Sequence, residues 1–485
     1  MGKTNKNEIH EHLFESNVPV WKQLIKVATP MLLLSLSNAS YAFIDTLLAI
    51  LLITDPSYSA AQILGLTYPL LLLATSFIAI IFSGLSLYLP RTLGREKYEK
   101  GRNLVIHTFV YGFFLSLAII IILYFLAPLW MNWLGGLGSP LTQQEIDGGI
   151  IYIRISSLMI IFIAMRDIIL RTIRVENKGF MASIIPIVAL PVNLLFDWIF
   201  MGPLGFKLGG AALASLIGVS CGFLFAFIYS LILIKKNETI VNYEFSRFNI
   251  KEGKYIKGLF MFGFNSYIRM VTLIIYNIFL TFFIIQLNGN NGSDDDYWKE
   301  FVTVTQRFVS MATIFAFAFV QASITLFAFN KGQKNYARAK EFLKLGAIYS
   351  FVSSIIVIII LAIFVNPVLV LFGVDDPSGN QIYANAFYIR LIAIPLSLLQ
   401  YYFISFFSIT KNLKETIINS IIGNIIVAIS VLSIFFYVGY QNNGNSTIFF
   451  SSLIVIGVIN AIIFTPRFII KYKKEFNYPK EKVKQ

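Results

Sequence analysis

About twelve apolar runs, each near the ~20 residues that a bilayer-spanning helix needs, follow one another along this chain of 485 residues. They lie at 21–53, 60–89, 104–127, 150–174, 180–201, 209–234, 256–286, 301–328, 342–371, 383–410, 414–438 and 446–470. A backbone in hydrocarbon must satisfy its own hydrogen bonds, so runs of this length read as helices. Composition agrees: 57% of residues are hydrophobic and 13% charged, where a soluble domain carries about 25% charge. The expected class is an all-α polytopic membrane protein embedded in a lipid bilayer.

The net charge of +14 does not point to nucleic acid. Its basic residues gather in alternate short connections: Arg91, Arg95, Lys97, Lys100 and Arg102; Arg171, Arg174 and Lys178; Lys235 to Lys257; Lys331 to Lys344; Lys411 and Lys414. The remaining connections hold Lys207, Lys299 and acids such as those of "SDDD" and "GVDDP". Lysine and arginine collect in cytoplasmic loops. Both termini are therefore expected on the cytoplasmic side of the cell membrane, consistent with an even helix number. The N-terminal stretch has no small-residue cleavage pattern, and Lys6 stands where a myristoylation signal needs Ser or Thr. One cysteine, Cys221, excludes an internal disulfide, and of three histidines His10 and His12 sit in a charged tail where solvation is the simpler reading than metal binding.

The chain also repeats. "LGREKYEKGR" (93–102) after the second run matches "KGQKNYARAK" (331–340) after the eighth when Gly94 is set on Gly332, and "YIRI" (152–155) matches "YIRL" (388–391) at a similar offset. Two pseudo-symmetric six-helix bundles in parallel orientation explain this, as in secondary transporters. The expected organisation is a tail at 1–20, a first lobe at 21–234, a linker at 235–255, a second lobe at 256–470 and a tail at 471–485.

Three acids lie inside apolar runs: Asp45, Asp167 and Asp197. Asp167 adjoins Arg166 near the inner end of its run, and snorkelling to the interface accounts for it. Asp45 and Asp197 are deeper. Each stands 19 residues past the last basic residue of an ascending helix, Lys26 and Lys178, or about 28 Å of rise. On the descending helix from Lys207 to Lys235, Ser215 falls at about 30 Å above the inner face. Asn193 is one turn below Asp197 on the same side. Two carboxylates, an amide and a hydroxyl thus share one level. Such oxygen donors suit Na⁺ or a proton shared by a carboxylate pair. The small residues of "GGAALAS" just before Ser215 allow close helix approach. Intramembrane acids otherwise default to function rather than to private structural bonds. An aspartyl protease dyad is disfavoured, because Ile44 and Phe196 precede the two acids in place of the usual Tyr-Asp and Gly-x-Gly-Asp settings.

At "KVATPMLLLSLSNASYAFIDT", "LPRTLGREKYEKGR", "YIRISSLMIIFIAMRDIILRTIRVENK", "PVNLLFDWIFMGPLGFKLGGAALAS", "LFAFNKGQKNYARAK" and "LFGVDDPSGNQIYANAFYIR" the chain resembles the multidrug and toxic compound extrusion (MATE) family, over roughly 20–470. The resemblance implies an antiporter, not an enzyme, that exports cationic or amphiphilic organic compounds for Na⁺ or H⁺ by alternating access. It implies no cofactor beyond that ion, and a monomer is expected. The family's coupling positions fall on Asp45, Asn193, Asp197 and Ser215, the last replacing a threonine, and its bending proline falls on Pro30. Two departures stand out: "DTLLAILL" lacks the usual glycine, and the seventh helix carries Arg269 where some relatives have an acid. Arg269 and Arg166 are candidate cavity residues, and they keep open a second reading, a flippase for lipid-linked saccharides within the same superfamily. The topology has a direct check. A cysteine placed at Ser293 in a variant lacking Cys221 is expected to react with an impermeant reagent on intact cells, and labelling only after permeabilisation would invert the orientation.

Overall fold

The computed structural model describes residues 18–55, 58–93, 97–135, 141–176, 178–239, 248, 254–288, 295–332, 335–367, 377–410, 413–442 and 446–476. Among these the regular elements are helices: α1 (Val20–Leu52), α2 (Ala60–Leu93), α3 (Tyr98–Gly135), α4 (Gln143–Val175), α5 (Gly179–Met201), α6 (Lys207–Lys235), α7 (Lys254–Asn288), α8 (Asp295–Gly332), α9 (Tyr336–Ile363), α10 (Pro377–Ile409), α11 (413–441) and α12 (Ser446–Phe476). Among the described residues, ten stretches are long and apolar enough to cross a membrane, or eleven if the two segments of α7, bent by 45°, form one span. The outward faces support that reading: Phe125 and Leu129 of α3 are 69% and 68% exposed, an exposure of large apolar side chains that suits lipid rather than water.

The helices run further than the apolar runs because polar end turns are capped. Thr142 and Glu145 form a capping box at the start of α4. Glu145 also accepts from the backbone N–H of Ser59 at 3.0 Å, tying the start of α4 to the approach to α2. Asn335 caps α9 by accepting from the Arg338 N–H at 3.2 Å. At the other end of the bundle, Lys178 donates to Glu238 at 2.9 Å, and this ammonium holds the Glu238 carboxyl below the usual carboxylate range. Within α11, residues Ile422–Val427 form a π-turn. Such turns are rare and tend to occur at functional positions.

Packing divides the chain into two compact units, one built on Thr29–Met270 and the other on Val20–Ala28 with Val271–Gln485. The boundary expected within the 235–255 linker differs from this, because the division falls inside α1 and α7. Glycine explains the first half of α7. A Cβ on Gly84 of α2 would overlap the Leu259 carbonyl, one on Gly263 would overlap the Ile80 carbonyl, and one on Gly258 would strike the Tyr88 ring. Tyr255 and Leu259 accordingly join the buried core of the first unit with Leu85, Leu89, Leu104 and Ile169. The first turns of α1 belong with the second unit, where Arg338 donates to the Gln23 amide oxygen at 2.8 Å. Gly84→Val or Gly263→Val is therefore expected to force backbones apart, at the ~1–3 kcal/mol typical of overpacking. Gly209→Ala, whose new Cβ meets the Ile151 methyl at 3.2 Å, is expected to be milder. Thermal unfolding of the purified variants checks the order.

Candidate cation site

The first unit is pinned at two levels along α1 and α5. Near one end, the Ser183 hydroxyl of α5 donates to the carbonyl of Pro30 on α1. Gly179 lies against the same proline: a Cβ there would stand 3.7 Å from the Pro30 ring. From Pro30 to Asp45 is 15 residues and from Ser183 to Asp197 is 14, about 22 and 21 Å of helix rise. The two helices run parallel in nearly the same register, so the acids arrive at one level.

α6 joins them from the opposite direction. A tight connection through Gly205, whose φ of 63° suits glycine, turns the chain back, with the Phe206 N–H on the Phe200 carbonyl at 2.8 Å. Lys207 then donates to Asp55 at 2.8 Å and lies 4.7 Å from the centre of the Tyr58 ring, fixing the start of α6 to the segment after α1. Gly210 brings the α6 backbone onto α5, where a Cβ would be 2.9 Å from Phe200 Cβ. Ala211, Ala212 and Ala214 are buried in the same contact region.

These constraints bring the four residues together. Ser215 donates to Asp45 Oδ2 at 2.7 Å. Asp197 lies beside the Asp45 carboxylate and the Asn193 amide. Asn193 and Asp197 are fully buried, Ser215 is buried and Asp45 is half-buried. Both oxygens of Asp197 and both amide atoms of Asn193 are inaccessible to solvent and meet no partner at full hydrogen-bond geometry among the described residues. For the two carboxylates the reason is chemical, since they offer only acceptors to each other. The cluster holds more acceptor oxygen than donor hydrogen, and one added cation, a proton or a metal ion with hard-oxygen preference, would balance it.

The other residues singled out in the sequence sit elsewhere. Arg166 is buried, with its stem near Gly222 of α6, and its Nε and Nη2 donate to Asp167 Oδ1 at 3.2 and 3.1 Å. Asp167 thus has a counter-ion beside it rather than only the bilayer interface. Arg269 is partly buried on α7. Ser183 and Asp55 position the site without having been singled out, and Lys207 was read only as a loop charge and depth mark; a hydroxyl one turn into α5 and an acid–lysine pair far apart in sequence give no local signal.

The second unit holds a neutral cluster on its own helices. Asn460 of α12 donates to Gln400 of α10 at 3.1 Å, Gln400 to Asn424 in the π-turn of α11 at 2.9 Å, and Asn424 to Thr272 of α7 at 3.0 Å. Gly423 permits this, since a Cβ there would strike the Gln400 amide. Arg390 is buried nearby in sequence to that cluster, donating to Thr305 at 2.6 Å and standing over the Phe450 ring.

The MatE family model matches residues 30–199 and 300–434, which include Pro30, Asp45, Asn193 and Asp197. An uncharacterised protein of Mycoplasmoides gallisepticum, the MG447 homolog MYCGA2290, is 27% identical over 164 residues, covering 33% of this chain and 28% of its own length. The fold is similar to the crystal structure of MATE in complex with MaL6, with a TM-score of 0.79, 17% identity and coverage of 95% of this chain and 99% of the other. It is also similar to a MOP superfamily transporter from Pyrococcus furiosus whose binding pocket is described as of reverse polarity, with a TM-score of 0.78, 17% identity and coverage of 95% and 98%. An outward-facing multidrug resistance MATE family transporter gives a TM-score of 0.75, 18% identity and coverage of 93% and 96%. Matched by the family model over most of its length, and sharing the fold of these transporters from end to end, the chain belongs to the MatE family of multi-pass membrane transporters.

Proposed function

We propose that this chain is a secondary active antiporter of the cell membrane. It exports organic compounds, cationic or amphiphilic, in exchange for Na⁺ or H⁺ by alternating access. The observation that carries this reading is the oxygen-rich cluster of Asp45, Asn193, Asp197 and Ser215. A carboxylate in hydrocarbon costs roughly 2.5 kcal/mol or more, and two facing each other repel. One shared cation removes both penalties, so the pair takes up and releases charge as a unit. The Asn193 amide and the Ser215 hydroxyl supply neutral oxygens that ligate a metal ion and can reorient when a proton replaces it. In the second unit the corresponding polar cluster is built of amides and Thr272, so the ion exchange is assigned to the first unit alone.

Proteoliposomes with an imposed Na⁺ gradient at constant pH, or a pH gradient without Na⁺, test the reading with a panel of fluorescent organic cations. One gradient is expected to drive export. Asp45→Asn and Asp197→Asn are each expected to abolish it while leaving protein in the membrane. The double variant is expected to be little worse than either single, because residues acting as a unit are not additive. Near-normal gradient-driven export by Asp45→Asn would overturn the assignment.

The hydroxyl gives a separate check. Ser215→Ala removes the donor held 2.7 Å from Asp45, and a hydrogen bond to a charged group contributes about 1.5–3 kcal/mol. Its thermal midpoint is expected to fall, and Ser215→Thr, which keeps the hydroxyl, to stay close to the parent.

A further inference from the structure

Arg171 and Arg174 were expected among the loop charges that set topology. They lie instead inside the last two turns of α4, both half-buried. Arg171 donates through Nη1 to Ser86 of α2 at 2.5 Å and stands over the Phe82 ring at 5.4 Å. The stem of Arg174 lies against the start of α5, where a Cβ on Gly179 would be 3.6 Å from Arg174 Cγ. No side chain caps that first turn of α5, so its backbone N–H groups and the positive end of its dipole are presented beside the arginine.

Among the described residues, the charges at this end of the first unit do not balance. Arg166, Arg171 and Arg174 share one carboxylate, Asp167. Its Oδ1 is taken by Arg166, and its Oδ2 stands 3.9 Å from Arg171. Glu176 is turned away, its two oxygens accepting from Thr239 at 2.9 and 2.7 Å. Nε of Arg171 and both Nε and Nη2 of Arg174 are inaccessible to solvent and meet no acceptor among the described residues. Guanidinium N–H groups left in that state cost free energy on the scale of a lost charged hydrogen bond.

We propose that Arg171, Arg174 and the first turn of α5 form a binding site for a phosphate oxyanion. A tetrahedral oxyanion offers several acceptors at once and matches the guanidinium fork. The site lies at the end of α4 beside the connection to α5, the level at which a spanning helix meets the polar head groups. Basic pockets between transmembrane helices at that level bind lipid phosphates. The ligand chemistry is a phosphate, from a phospholipid head group or from free inorganic phosphate. The site is independent of the coupling assignment, since it lies at the opposite end of α5 from Asp197.

The test uses the full chain, delipidated in detergent, with native mass spectrometry and thermal unfolding. The probes are phosphatidylglycerol, the diacylglycerol of the same acyl chains, and inorganic phosphate against chloride at matched ionic strength. Phosphatidylglycerol is expected to remain bound and to raise the midpoint, and diacylglycerol to do neither. A rise with inorganic phosphate over chloride supports the site with free phosphate as its source. Arg171→Gln and Arg174→Gln are each expected to weaken binding about tenfold or more, the factor that a charged hydrogen bond supplies. Should the glutamine variants fail to fold, Arg174→Lys keeps the charge and loses the fork, and is expected to bind more weakly than the parent. Asp45→Asn is expected to keep phosphate binding, so this site and the coupling site can fail separately. Equal binding of both phosphate probes by the parent and the folded arginine variants overturns the proposal.

Discussion

Charge inside hydrocarbon has to be answered by the protein itself, because no solvent is there to do it. In this chain that constraint falls hardest on Asp45 and Asp197, and the geometry of the first unit follows from meeting it. α1 and α5 run in step, joined at one level by Ser183 on the Pro30 carbonyl and at another by the facing acids. α6 enters from the far side with its origin fixed by the Lys207–Asp55 pair, and its small residues let Ser215 reach the Asp45 carboxylate. Each tie alone is modest. Together they hold the two carboxylates beside each other.

The second unit carries a buried polar cluster of neutral groups besides the buried Arg390. Thr272, Asn424, Gln400 and Asn460 are linked in a chain of neutral bonds across four helices. Neutral amides need no counter-ion and lose little on burial once paired. The π-turn at Ile422–Val427 and the bare face of Gly423 let Gln400 approach the α11 backbone. The two clusters thus carry unlike chemistry, acidic in the first unit and amidic in the second.

Much of this was readable from residues alone, for a physical reason. Helix rise is fixed and basic residues mark membrane boundaries, so counting from Lys26, Lys178 and Lys207 placed Asp45, Asp197 and Ser215 at one depth, and the structure has them in contact. The same counting could not see sideways. It placed Arg171 and Arg174 in a loop because their charge imitates a topology signal, whereas their stems pack into α4's surroundings and only their neighbours in space reveal it. "YIRI" and "YIRL" look alike, yet Arg154 leans on the Tyr124 ring and carbonyl while Arg390 is buried on Thr305. The π-turn has no periodic signature, since it adds one residue to an otherwise ordinary apolar run. The unit boundary was placed in the charged linker, where composition changes. Packing puts it inside α1 and α7, and on α7 Gly258 and Gly263 allow the close approach to α2.

That last feature bears on how such a protein is made. A ribosome delivers the chain from one end, yet the first unit is closed by the opening half of α7, and the second includes the opening turns of α1. The earliest helix to emerge must therefore hold part of itself in reserve until more than half of the chain has followed. The first unit likewise lacks a wall until the seventh helix is under way.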